Sequence, residues 1–203
     1  MAISRSLFVN ALDQIIREAN QYITGSDTVP VDMLNVAQLN DGDQFLVAPT
    51  FITLSIVNIE EDRMSRDPDH FVRRDNRTIY RNPSQHFNLT LLFAAYSQEN
   101  TRSRYADSLL YLEGVIRFFQ QKSVFTPTNT PGLLAEIEKI SLELVSLTSE
   151  QTHQLWSSLG GRYMPSVVYR MRMISVQENR ETDGGPVILE TQVNSEIIRN
   201  EPV

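Results

Sequence analysis

The chain has 203 residues, 41% hydrophobic and 21% charged, which suits one globular domain with enough apolar mass for a core. A net charge of −7 argues against a general nucleic-acid binder, and zero Cys removes disulfides and thiolate metal sites. No window approaches the roughly 18 consecutive apolar residues of a membrane span.

The start, "MAISRSLFVNALDQIIREANQYI", is broken by Asp13, Arg17 and Glu18 in helical rhythm, so it does not read as a signal peptide, and synthesis in a cytoplasm is the expectation. Ile3, Leu7, Phe8, Leu12, Ile15, Ile16, Ala19, Tyr22 and Ile23 predict an amphipathic helix over 3–23, ending before Gly25. A short strand around 35–39 and a "DGD" turn at 41–43 precede "FITLSIVNIEEDR", whose Ile52, Leu54 and Ile56 alternate with Thr53 and Ser55 as in a strand, 51–61.

From 60 to about 83 the chain is polar and irregular, and a structureless connection of this length is usually functional or disordered. It holds Arg63, Arg66, Arg73, Arg74, Arg77 and Arg81, a third of all basic residues, with six acids among them. That is a mixed-charge loop, not a basic patch.

"HFNLTLLFAAYS" predicts a strand over 86–97 that is apolar on both faces and therefore central. Tyr105, Leu109, Leu112, Ile116 and Phe119 predict a helix, 102–121, with one stripe toward a core. After the turn-rich "TPTNTPG" comes a strand at about 136–147, with an ambiguous first half. "TSEQ" then has the form of a capping box opening a helix, 149–159, and Gly160 can take the left-handed cap. Pro165 launches a strand, 166–177, with Val167, Tyr169, Met171 and Met173 on one face and Arg170 and Arg172 on the other. Two arginines there are ordinary solvent-side charge or part of an assembly interface, and the sequence leans to the first. The tail, 179–203, reads as an extended arm whose strand-like run is "VILETQV", 187–193. The prediction is an α+β domain, 1–178, with a mostly antiparallel sheet of about four to five strands and two long helices packed on it.

No credible active site emerges, and no catalytic residue, cofactor or metal is expected. His70, His86 and His153 are far apart and lack paired-ligand spacing. Asp62, Asp67, Asp69 and His70 could serve a metal-dependent hydrolase, but neighbouring arginines would pair with the same carboxylates, which makes a solvated ion-pair loop the better reading. His153 lies beside Trp156 with no nucleophile-elbow serine, and the "GG" pairs at 160–161 and 184–185 lack the rest of a phosphate loop. Only Lys122 and Lys139 are lysines among 18 basic residues. Arginine is favoured in interface cores, and lineage bias would give the same count.

Two linked patterns carry a resemblance: "LW..LG..Y.PS..Y..R" at 155–172 and the "L.LLF.AY" strand at 89–96. With the helix "RYADSLLYLEGVIRFFQ" between them, the chain over about 5–178 resembles the N-terminal-type domain of cap proteins of contractile injection systems, the antifeeding-prophage and virulence-cassette group of phage-tail-like particles. The resemblance implies a structural tail terminator that ends the inner tube, the contractile sheath or both, or else a cap adaptor of the same particle. It implies a homo-oligomeric ring, typically a hexamer, with tube protein, sheath protein and a second cap component as partners, without nucleic acid or membrane insertion. It also implies a particle that can be released outside the cell. On this reading Trp156 and Leu159 anchor the short helix to the sheet, and the arginine loop meets tube or sheath. Arg170 and Arg172 form a sheet-face contact, and Val187, Ile188, Leu189 and Val193 form a strand-exchange arm.

Overall fold

A computed structural model of the chain describes residues 6–25, 30–39, 50–62, 71–74, 77–80, 85–97, 101–160, 163–175 and 182–186. Among them are three α-helices: α1 (Leu7–Thr24), α2 (Arg102–Gln121) and α3 (Ser149–Ser158). The strands are β1 (Val31–Met33), β2 (Thr50–Glu61), β3 (Phe71–Arg74), β4 (Arg77–Tyr80), β5 (Gln85–Ser97), β6 (Val124–Phe125), β7 (Ile137–Val145), β8 (Ser166–Ser175) and β9 (Thr182–Pro186).

Local chemistry sets the helix ends. The Ser6 hydroxyl accepts from the Val9 amide to open α1, and the Gly25 amide donates to the Gln21 carbonyl to close it. The predicted capping box is present. The Gln151 amide donates to Thr148 Oγ1 at 3.2 Å, and the Thr148 amide donates to Gln151 Oε1 at 2.9 Å. Past α3, Gly160 has φ +107°, a conformation an L side chain rarely adopts.

Two compact units result. The first holds a six-stranded sheet in the order β1-β2-β5-β8-β7-β6, with β1 parallel to β2 and every other pair antiparallel. The expected count of four to five strands falls short because β1 and β6 have three and two residues, too few to show an alternation. The short strand expected at 35–39 is replaced by β1 and a 3-10 turn, Val36–Gln38. Two side chains fix this connection. Buried Asn20 donates from Nδ2 to the Val31 carbonyl and accepts the Val31 amide on Oδ1, at 2.9 and 2.8 Å. The Ser55 hydroxyl donates to the Leu34 carbonyl and accepts the Val36 amide.

β5 lies between β2 and β8, so its apolar run is covered on both edges and both faces. On one face α1 and α2 cover Ile52, Leu54, Leu89, Leu91, Phe93, Tyr169, Met171 and Met173. Phe93, Phe119 and Tyr169 are mutually within ring contact, at 5.4, 5.7 and 4.7 Å. The buried ridge of α2 is Ser108, Leu112, Val115, Phe118 and Phe119, whereas Tyr105 and Leu109 of the predicted stripe are 51% and 38% exposed. Ser108 can be buried because its hydroxyl donates to the Tyr105 carbonyl of its own helix, a polar side chain that hydropathy alone assigns outward. On the other face a smaller cluster forms from Val36, Leu92, Ala94, Trp156 and Val168.

The second unit is a three-stranded antiparallel sheet in the order β3-β4-β9. The segment read as an irregular loop over 60–83 therefore contains the end of β2 and the β3–β4 hairpin. β3 and β4 have four residues each, too few for a clear alternation. The tail's described strand is β9, pairing with β4, while the run at 187–193 lies outside the described residues.

Candidate assembly interface

The sheet face opposite α1 and α2 is apolar only where α3 and the 3-10 turn lie. Along the rest of it period-two alternation sets polar groups side by side: Glu60 on β2, Asn88 and Thr90 on β5, Arg170 and Arg172 on β8, Ser141 and Glu143 on β7. Arg172 sits in register between Asn88 and Ser141, and Arg170 between Thr90 and Glu143. The Arg172 guanidinium donates to Asp62 Oδ2 at 3.2 Å and to Asn88 Oδ1 at 3.4 Å. Asp62 is itself placed by its amide, which donates to the His86 carbonyl. Arg170 is exposed and forms no ion pair with any described residue.

A cleft of about 200 Å³ opens on this face, lined by Asp62, His86, Asn88, Lys139, Ser141 and Arg172 among others. The surface is mixed in charge, with the Arg172 fork engaged by Asp62 and Asn88 and the Arg170 fork exposed and able to pair bidentately with a carboxylate. Asp62 is held by Arg172, whereas Asp67, Asp69 and His70, the other members of the metal reading, lie outside the described residues. Among the described residues no group of three His, Asp or Glu side chains could hold a metal ion. No described helix is long and apolar enough to cross a membrane.

Of the arginines expected to meet a partner, Arg73 and Arg74 fall in β3 and Arg77 in β4, whereas Arg63, Arg66 and Arg81 lie outside the described residues. Trp156 is 4% exposed and packs in the smaller cluster, with Leu159 partly buried against it. Val187, Ile188, Leu189 and Val193 are outside the described residues. The sequence reading missed Lys139, Asn88 and Asp62 as neighbours of Arg172. Their signal was present as polar positions in phase along four strands, but register is needed to bring them together.

A family model described as the Pvc16 N-terminal domain matches residues 9–190. The chain belongs to that family. The match extends the expected range, about 5–178, into the tail. No curated protein matches the chain in sequence. Two solved structures share the fold of this Pvc16 N-terminal domain. One is the sheath/tube terminator, in its extended state, of the extracellular contractile injection system PVC: 11% identical, TM-score 0.58, covering 100% of this chain and 65% of that one. The other is the tube-terminating cap of the anti-feeding prophage: 13% identical, TM-score 0.59, covering 92% of this chain and 60% of that one. The chain thus spans less than two thirds of the length of either.

Proposed function

We propose that the chain is a structural cap that terminates the inner tube, the contractile sheath or both in a phage-tail-like contractile injection particle, and that it performs no catalysis. The observation that carries this reading is a fold shared along the whole chain with a sheath/tube terminator and along 92% of it with a tube-terminating cap, within the Pvc16 N-terminal domain family. A tube grows because each ring offers a heterologous surface to the next. A terminator must match the last ring on one side and present something else on the other. One face of the large sheet is closed by helices, and the opposite face is open and charged around Arg170 and Arg172, which supplies two dissimilar surfaces.

In this proposal six copies form a ring, Arg170 and Arg172 contact tube or sheath, and the arginines at 63, 66, 73, 74, 77 and 81 add a second contact. A further cap component is a third partner, and the chain is made in the cytoplasm before joining a particle that can leave the cell. The test is tube length. Purified chain added to polymerising tube protein should shorten the tubes seen by negative-stain microscopy and decorate one end only, and Arg170→Glu with Arg172→Glu should abolish both effects. Tubes of unchanged length with bare ends would overturn the proposal.

A further inference from the structure

The charged end of the open face holds a cation that a break in strand register puts there. β7 carries one residue more than β8 between Ile137, opposite Ser175, and Lys139, opposite Ile174, so Glu138 is the extra residue of a β-bulge. Unbroken alternation from buried Ile137 would send Lys139 toward α1 and α2. The bulge turns Lys139 outward instead and returns Ile140 to the core. Lys139 is exposed there and forms no hydrogen bond or ion pair with any described residue. The other lysine, Lys122, is tied to Glu18.

Lys139 lines the cleft of about 200 Å³ together with Asp62, Arg172 and Ser141. Arg172 and Asp62 compensate each other at 3.2 Å, and the Asp62 side chain is 13% exposed. Among the lining lysine and arginine side chains, Lys139 is therefore the one whose charge is unmatched. One positive charge in excess calls for one negative charge. A phosphate dianion would need a second free cation and would meet the Asp62 carboxylate. Size points the same way. Pockets for free small molecules enclose about 300–1,000 Å³, and this cleft holds 200 Å³, room for a side chain.

We propose that the cleft receives one aspartate or glutamate side chain of the protein against which this chain seats, its carboxylate paired with the Lys139 ammonium and reached by the Ser141 hydroxyl. Arg172, by holding Asp62, keeps the chain's own carboxylate from filling the place. The partner's being tube or sheath protein rests on the terminator reading, whereas the demand for a carboxylate rests on the cleft alone.

Carbodiimide joins a carboxylate to an amine only where the two touch. Tubes or sheaths capped by the full chain, treated with it and mapped by mass spectrometry, should contain an amide between Lys139 and an acidic residue of the tube or sheath protein. Lys139→Arg keeps the charge, so it should lose the cross-link and still cap at a concentration within about two-fold of the parent. Lys139→Glu, equally exposed, should need about ten-fold more chain, because it sets like charges together. Capping by Lys139→Glu at the parent concentration, capped ends without the cross-link, or a cross-link from Lys139 to a second copy each overturns the proposal.

A second measurement needs no particle. An oligoglutamate peptide should slow acylation of Lys139 relative to Lys122 by about three-fold, and inorganic phosphate should leave the ratio unchanged. Equal protection by phosphate, or none by the peptide, overturns the carboxylate cleft. If capping fails while oligoglutamate protects Lys139, the terminator reading falls and the cleft stands. Capping with Lys139 indifferent to the peptide removes the cleft and leaves the terminator reading.

Discussion

The two faces of the six-stranded sheet share the same four long strands but spend their side chains differently. Beneath α1 and α2 the alternate positions are large and apolar, and Phe93, Tyr169 and Met171 are almost wholly removed from water. On the reverse side the intervening positions of the same strands hold Thr90, Arg170 and Arg172. The larger core is therefore on one face, and the charged part of the other can change its side chains without unfolding the domain.

The largest effect should come from the helix-covered face. Phe93→Ala removes a ring in contact with both Phe119 and Tyr169 and should cost about 4 kcal/mol in urea unfolding. Next is the polar clamp at the sheet's first edge. Asn20→Ala leaves the buried Val31 amide and carbonyl without their partner, which should cost about 3 kcal/mol by the same measurement.

A pH experiment sharpens the contrast further. Burial pushes the Tyr169 hydroxyl from 10.0 up to about 12, so the folded chain keeps a proton that the unfolded chain loses. The stability due to this group is complete below pH 10 and should decline between pH 10 and about 12, by about 3 kcal/mol in all. Alkaline unfolding of Tyr169→Phe should lack that component. The smallest change belongs to the open face. Arg170→Ala with Arg172→Ala removes two exposed side chains, a 3.2 Å ion pair to Asp62 and a 3.4 Å hydrogen bond to Asn88, so unfolding should shift by about 1 kcal/mol. A loss as large as that of Phe93→Ala would end the distinction between the faces.

Much of this division can be read from residue order. The alternation in β8 separates Val167, Tyr169, Met171 and Met173 from Arg170 and Arg172, and the structure keeps them on opposite sides. α2 has the bounds that its spacing indicates, and the Thr148–Gln151 capping box forms. The failures share a cause: each depends on an interaction between segments distant in sequence. Asn20 and Ser55 create the β1 connection through bonds spanning 11 to 21 residues. β4 finds β9 about a hundred residues away, so that pairing carries no local signal. The Asp62–Arg172 pair spans 110 residues and follows only from strand register.

Lys122 has a practical consequence. Its ammonium lies 2.6 Å from Glu18 Oε2, donates to the Asn129 carbonyl and Thr130 Oγ1, and stands over the Phe125 ring. It is thus occupied in tying α1, the end of α2 and the following turn together. The other lysine, Lys139, is exposed and lines the cleft on the charged face. Amine-directed reagents should therefore modify Lys139 in preference to Lys122, making the charged face addressable by ordinary conjugation chemistry without an introduced cysteine. A dye or cross-linker attached there would report directly on whatever that face meets.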